Sequence, residues 1–266
     1  MLNQFSIQLL PGAVKIAEAH RVAGQQHDNL CGAYWAAIFL RSCGFNPTFE
    51  QVAQLAGTVL PIADPLTCIP KGATSRQDYH VSLPTTEQIE QAGTSVIGLI
   101  IAIEQLSQGA YSLIPIQAQW SVERVESIIA LCENNPDWNG VPMCNLRTDS
   151  LWGAQLAIDQ AIAYLAGDAV QPPAADWRVG HFLILAGTVK GQNRPLILVG
   201  DTYPMLGWQG YHLQSIDAIA QALDRGDNYQ GGILLFAAVQ HKAAIAQELR
   251  SQGFTIEPWD NGSPPP

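Results

Sequence analysis

Apolar positions recur at helical spacing over residues 11–22, where Val14, Ile16 and Ala17 mark one face. The next run, Cys31–Ser42 (CGAYWAAIFLRS), is apolar nearly all round, and such a helix has to be buried on several sides. Gly44 and Pro47 stop it. Thr48 followed three residues later by Gln51 is a capping-box pattern opening TFEQVAQLA, and Gly57 stands where a C′ glycine belongs. Residues 58–84 are rich in Pro, Gly, Thr and Asp and read as a long irregular loop; loops of that length inside compact domains are usually functional or mobile. Thr85 and Gln88 repeat the capping pattern ahead of a helix expected to run to about Ser107.

Strand-like spacing follows. Residues 111–119 (YSLIPIQAQ) alternate, with Pro115 demoting the strand to a sheet edge. A helix over 121–133, the turn NNPDWNG, a strand VPMCNLR and an amphipathic helix over 151–166 come next. Residues 167–178 (GDAVQPPAADWR) form the best linker candidate. Beyond them the chain turns to β character: VGHFLILAGTV and PLILVG are apolar strands on either side of the turn KGQNR. Residues 208–213 read as a third strand, 215–223 as a helix, 232–239 as a fourth strand and 241–252 as the last helix. Helices first and antiparallel strands later predict an α+β fold.

Composition narrows the classes. Of 266 residues, 47% are apolar and 14% charged, which excludes a disordered chain. Lys+Arg 13 against Asp+Glu 23 gives a net charge of −10. That balance lacks the basic footprint of a nucleic-acid binder and is repelled by anionic lipid, so no nucleic-acid or membrane partner is expected. The longest apolar stretch, 95–103, is far short of the ~20 residues a spanning helix needs. The N-terminal MLNQFSIQLLPGAVK lacks the basic and apolar regions of a signal peptide. Five scattered cysteines without a CxxC pair exclude a zinc ribbon or thioredoxin motif. The chain reads as cytoplasmic and reduced.

The chemistry concentrates in Gln25-Gln26-His27-Asp28-Asn29-Leu30-Cys31-Gly32. Cys31 falls in the first turn of the buried helix, where unpaired N–H groups and the helix dipole favour a thiolate. Gln25, six residues upstream, can fold back as an oxyanion donor beside the Cys31 backbone N–H. A nucleophilic thiol needs a base, and the base an orienter. His181 opens the strand HFLILAG and Asp201 closes the next, LILVGDTYP. In an antiparallel hairpin the start of one strand lies beside the end of the other, so these two side chains meet.

Taken singly, each residue has a plainer role: a packed cysteine, a strand-end histidine, a turn aspartate. Their conjunction in this order points to acyl transfer. His27 competes with His181 as the base, but no strand fixes it. Gln26 competes with Gln25, and the six-residue spacing favours Gln25. Cys43, Cys132 and Cys144 read as packing residues, and Cys68 lies in the loop next to Lys71, which could make it reactive, with no candidate base nearby in sequence. His80, His212 and His241 stand isolated, so no metal site follows. Trp152, Trp177 and Trp208 are candidates for a cleft wall or for the core.

The blocks Gln-x5-Cys-Gly, His-Phe-Leu-Ile-Leu-Ala-Gly and Leu-Val-Gly-Asp-Thr-Tyr-Pro resemble those of the papain-like cysteine peptidases. Within them they are most similar to the double-glycine (bacteriocin-leader) peptidase-like branch. The likeness covers about a fifth of the chain as three short blocks in the family's order. It implies Cys31 as nucleophile, Gln25 as oxyanion residue, His181 as base and Asp201 as orienter, with no cofactor and a peptide or protein substrate. Leu30 departs from the aspartate usual before the cysteine, and Thr202-Tyr203 intervenes before Pro204. The cysteine-to-histidine gap is about twice that of a minimal member.

The resemblance implies a single papain-like domain over 1–256. Its parts are a helical lobe at about 1–110, inserted or lid material at about 58–168 and a β-lobe at about 179–256. Outside it, the Pro-rich composition of 257–266 reads as a disordered tail, a terminus or the start of a linker. The expected function is a cysteine peptidase, cleaving a peptide or a leader from a precursor. Two alternatives use the same residues: a peptide ligase, cyclase or transglutaminase-like acyltransferase, or an inactive peptidase-fold binding module.

Overall fold

The computed structural model describes residues 5–62 and 68–266; residues 63–67, within the loop expected over 58–84, and 1–4 lie outside the described residues. The chain folds as α+β. Its helices are α1 (Ala13–Arg21), α2 (Cys31–Ser42), α3 (Phe49–Leu55), α4 (Val96–Leu106), α5 (Val122–Asn134), α6 (Ile158–Ala166), α7 (Ile216–Asp224) and α8 (Val239–Ser251). The strands are β1 (Ser6–Leu9), β2 (Leu60–Pro61), β3 (Thr85–Thr86), β4 (Tyr111–Ile116), β5 (Val141–Arg147), β6 (Gly180–Lys190), β7 (Pro195–Gly200), β8 (Tyr211–Gln214) and β9 (Gly232–Ala238).

Seven strands form one antiparallel sheet in the order β4-β9-β5-β6-β7-β8, with β1 added to β6. One edge of β6 takes β5 against Gly180–Ile184 and then β1 against Gly187–Lys190. As Pro115 requires, β4 is an edge strand. This order corrects the division into an early helical lobe and a late β-lobe. Residues 111–147, assigned above to inserted material, supply β4 and β5, and β5 sits between β9 and β6. The expected linker at 167–178 therefore leads from α6 into β6, within the connection between two adjacent strands of one sheet. A sheet order of this kind is set by long-range pairing that periodicity does not encode.

The core lies between the sheet and α2. Nine consecutive residues of α2, Gly32–Leu40, are buried, as an all-round apolar helix demands. Its first turn packs hard on β6: a Cβ at Gly32 would lie 3.0–3.2 Å from Leu99 and Phe182, and the Trp35 indole N–H donates to the Phe182 carbonyl at 3.1 Å. Glycine at 32 is what allows the approach.

Local chemistry set several ends as the sequence requires. Thr48 and Gln51 form the reciprocal capping box, and Ser121 and Ser215 cap α5 and α7. Two helices begin later than the pattern suggested. Thr85–Thr86 pairs with β2, Gly93 turns through φ 121°, and Ser95 rather than Thr85 caps the helix that follows. Likewise α6 starts at Ile158, after irregular residues 151–157. The tail expected to be disordered is packed: Trp259, Asn261 and Ser263 are buried, and Asn261 donates to Thr94 O at 3.1 Å. One tryptophan and one asparagine outweigh the proline-rich composition around them.

Candidate functional site

A cavity of about 330 Å³ opens where the start of α2 meets the start of β6, and Gln26, Asn29, Cys31, Trp177 and His181 line it. The hairpin β6–β7 brings the two halves of a dyad together. Ile184 pairs with Gly200, so His181 at the opening of β6 lies beside Asp201 just past β7. His181 Nε2 donates to Asp201 Oδ1 at 3.2 Å, with both side chains nearly sealed from solvent (2% and 3% exposed). Cys31, the first residue of α2, lines the same cavity as this ring.

Burial opposes charge on His181. The Asp201 carboxylate, its hydrogen bond and the Cys31 sulfur outweigh that and raise the ring well above the ordinary histidine range. Burial likewise opposes charge on Asp201, but His181, with His212 adding to it, holds the carboxyl below the usual carboxylate range. Each partner therefore favours the ionised form of the other.

Backbone geometry delivers Cys31. Asn29 takes a left-handed turn at φ 62°, and Leu30 occupies the N-cap with no side-chain cap bond. An aspartate there would offer an oxygen to the first-turn N–H groups. With leucine they stay available beside the Cys31 sulfur. Behind this turn Asp28 is fully buried and ties it to the long loop, accepting from Ser75 Oγ at 2.5 Å and from Arg76 N at 3.0 Å. From the same loop, Cys68 reaches the cavity wall.

The two glutamines exchange the places that spacing gave them. Gln25 turns outward, its amide donating to the Thr74 carbonyl at 2.6 Å, and it does not line the cavity. Gln26 is buried and lines it. Its backbone N–H donates to Thr202 O at 3.2 Å and its amide Nε2 to the Tyr203 hydroxyl at 3.0 Å. Gly24, at φ 72°, turns the chain here, and Gln26 rather than Gln25 lines the cavity.

The other candidates lie outside the dyad. His27 is buried against Arg76 and Asp78; burial and then Arg76 lower its basicity. Burial pushes the Cys132 thiol up to about 12 and raises Cys144 as well. Trp177 stacks edge-on to His181, ring centres 4.7 Å apart, whereas Trp208 is 76% exposed and Trp152 packs on Tyr164.

Two residues near Asp201 escaped the sequence reading. His20, stacked on Trp35, donates from Nε2 to the Asp201 carbonyl at 2.9 Å. His212, which looked isolated, lies in β8 with Nε2 3.8 Å from Asp201 Oδ2. The signal for His212 was the pairing of β8 with β7, Val199 opposite His212.

Among the described residues no group of three or more His, Cys, Asp or Glu could hold a metal ion, and no helix is long and apolar enough to cross a membrane. Residues 10–260 match the model of a family of unknown function, DUF6885. No curated protein matches the chain.

Proposed function

The chain belongs to the DUF6885 family, whose function is unknown, and from its site we propose a thiol-dependent acyltransferase on a papain-like α+β scaffold, with peptide hydrolysis its simplest reaction. The observation that carries this reading is the buried His181 ring, held by Asp201 at 3.2 Å in the cavity that Cys31, the first residue of α2, also lines.

In this reading the Cys31 sulfur attacks a carbonyl carbon. The oxyanion is met by the Cys31 backbone N–H and by the Gln26 amide, in place of Gln25. A primary amide has two hydrogens, so Nε2 can serve Tyr203 and substrate at once. His181 gives its proton to the departing amine, leaving a thioester on Cys31. Water, deprotonated by His181, then releases the acid and restores the thiol. Asp201 keeps the ring oriented and stabilises its cationic form. Trp177, over the His181 ring, limits water at the dyad, which strengthens both interactions. Each protein residue ends as it began, so the chemistry asks for no cofactor.

The test uses an activated ester, p-nitrophenyl acetate, in place of the unknown amide. The parent protein is expected to release a burst of p-nitrophenol and gain one acetyl group on Cys31, seen by peptide mass mapping and removed by hydroxylamine. Absence of that adduct, or an adduct on Cys68 at equal yield, overturns the proposal.

A further inference from the structure

His212 has no part in the reaction just described, yet its surroundings fix its chemistry. The Gln214 side chain is fully buried and clamps the backbone of Trp152. Its Oε1 accepts from Trp152 N at 2.8 Å and its Nε2 donates to Trp152 O at 2.8 Å. That pair leaves no freedom to exchange the amide oxygen and nitrogen. The second Nε2 hydrogen then points at His212 Nδ1, 3.0 Å away, so Nδ1 must accept. A histidine whose Nδ1 accepts carries its hydrogen on Nε2. In this fold Nε2 is buried without a hydrogen-bond partner and faces Asp201 Oδ2 at 3.8 Å.

The two oxygens of Asp201 are treated differently. Oδ1 takes the His181 N–H, the Tyr203 backbone N–H at 3.3 Å and the Thr202 hydroxyl at 3.4 Å. Oδ2 faces His212. The turn before β8 sets this approach through glycine: a Cβ at Gly207 would strike Tyr211 O and His212 Cβ at 2.2 and 2.7 Å, and one at Gly210 would strike Asp201 O at 2.8 Å.

We propose that His212 is a positioning residue for Asp201, held by Gln214 in the tautomer that presents Nε2–H to Oδ2, so that Oδ1 stays turned to His181. The role rests on the acyl-transfer reading, while the tautomer does not. At 3.8 Å the contact is longer than a hydrogen bond; contacts of this kind often tighten when substrate binds.

The experiment is a long-range ¹H–¹⁵N correlation spectrum of the full chain labelled with ¹⁵N-histidine, with His212 assigned by its loss in His212→Gln. The parent is expected to show an unprotonated Nδ1 and a hydrogen-bearing Nε2 at residue 212. Gln214→Glu, which sets an acceptor against Nδ1, is expected to move the hydrogen there. The functional arm reads the rate of Cys31 alkylation by iodoacetamide at pH 6. His212→Leu is expected to slow it about tenfold, as for one lost buried hydrogen bond, and His212→Gln, which keeps an N–H donor, to recover most of that loss. A hydrogen on Nδ1 in the parent overturns the inference while leaving the acyl-transfer reading intact, the variant serving only to assign the signal. A His212→Leu protein that alkylates as fast as the parent overturns the positioning role. A parent in which Cys31 has no preference over Cys68 overturns the reading on which that role rests.

Discussion

Replacing Asp201 by asparagine removes one charge from the dyad while keeping the side chain's size and its oxygen for the Tyr203 N–H. Breaking a buried ion pair costs about 3–5 kcal/mol when the orphan stays charged. His181 avoids that by releasing its proton, so the expected loss is about 1–3 kcal/mol, that of a buried group deprived of a charged hydrogen-bond partner. With both side chains almost fully buried, solvent screening takes little from this figure. The pH dependence separates this from a packing defect. His181 is raised above its unfolded value, so its contribution is full below about pH 6.5 and is lost as pH rises through the folded pKa. Asp201 is depressed, so its contribution is present above about pH 3.9 and is lost as pH falls through the folded pKa. The stability gap between parent and Asp201→Asn is therefore widest between these limits and narrows toward alkaline pH. Urea denaturation at pH 5.5 and at pH 9.5 measures it. A gap as large at pH 9.5 as at pH 5.5 would refute the ion-pair argument.

The remaining predictions concern the cavity wall and the tail. Gln26→Ala should cut the rate of Cys31 acylation by p-nitrophenyl acetate by about 10²-fold, the usual effect of deleting an oxyanion donor. Gln25→Ala should leave it unchanged, since that side chain is turned to Thr74; the opposite ranking would restore Gln25. Trp259→Ala should destabilise the protein by about 3–5 kcal/mol, read by urea denaturation, because the indole is buried and donates to Asn145 Oδ1 at 3.4 Å. A cost near zero would show the packed tail to be dispensable.

Features governed by neighbours in the sequence were legible in it. The all-round apolar run became α2 with the bounds read from it, the Thr48–Gln51 pair capped α3, and the hairpin rule put His181 beside Asp201. What stayed hidden depends on contacts distant in the chain. The place of β5 inside the sheet follows from pairing with β9 and β6, about 90 and 40 residues downstream. The choice between Gln25 and Gln26 turns on the chain's path through Gly24 and on the Thr202 carbonyl, neither visible in spacing. His212 had no partner in sequence until β8 was laid beside β7. The tail looked unable to pack by composition, yet Trp259 and Asn261 find Asn145 and Thr94 on separate elements.

In the proposed reaction Cys31 is the nucleophile, and the rate of its alkylation at pH 6 decides whether it is. Thiolate is the form that reacts with iodoacetamide, and in this reading the His181 imidazolium, sustained by Asp201, is the partner of the Cys31 sulfur. Peptide mapping over a time course should find Cys31 labelled at least about tenfold ahead of Cys68 and Cys43, with Cys132 and Cys144 silent in their buried sites. His181→Ala should abolish most of that lead. Equal labelling of Cys31 and Cys68 in the folded parent, or a lead that survives His181→Ala undiminished, would contradict the account.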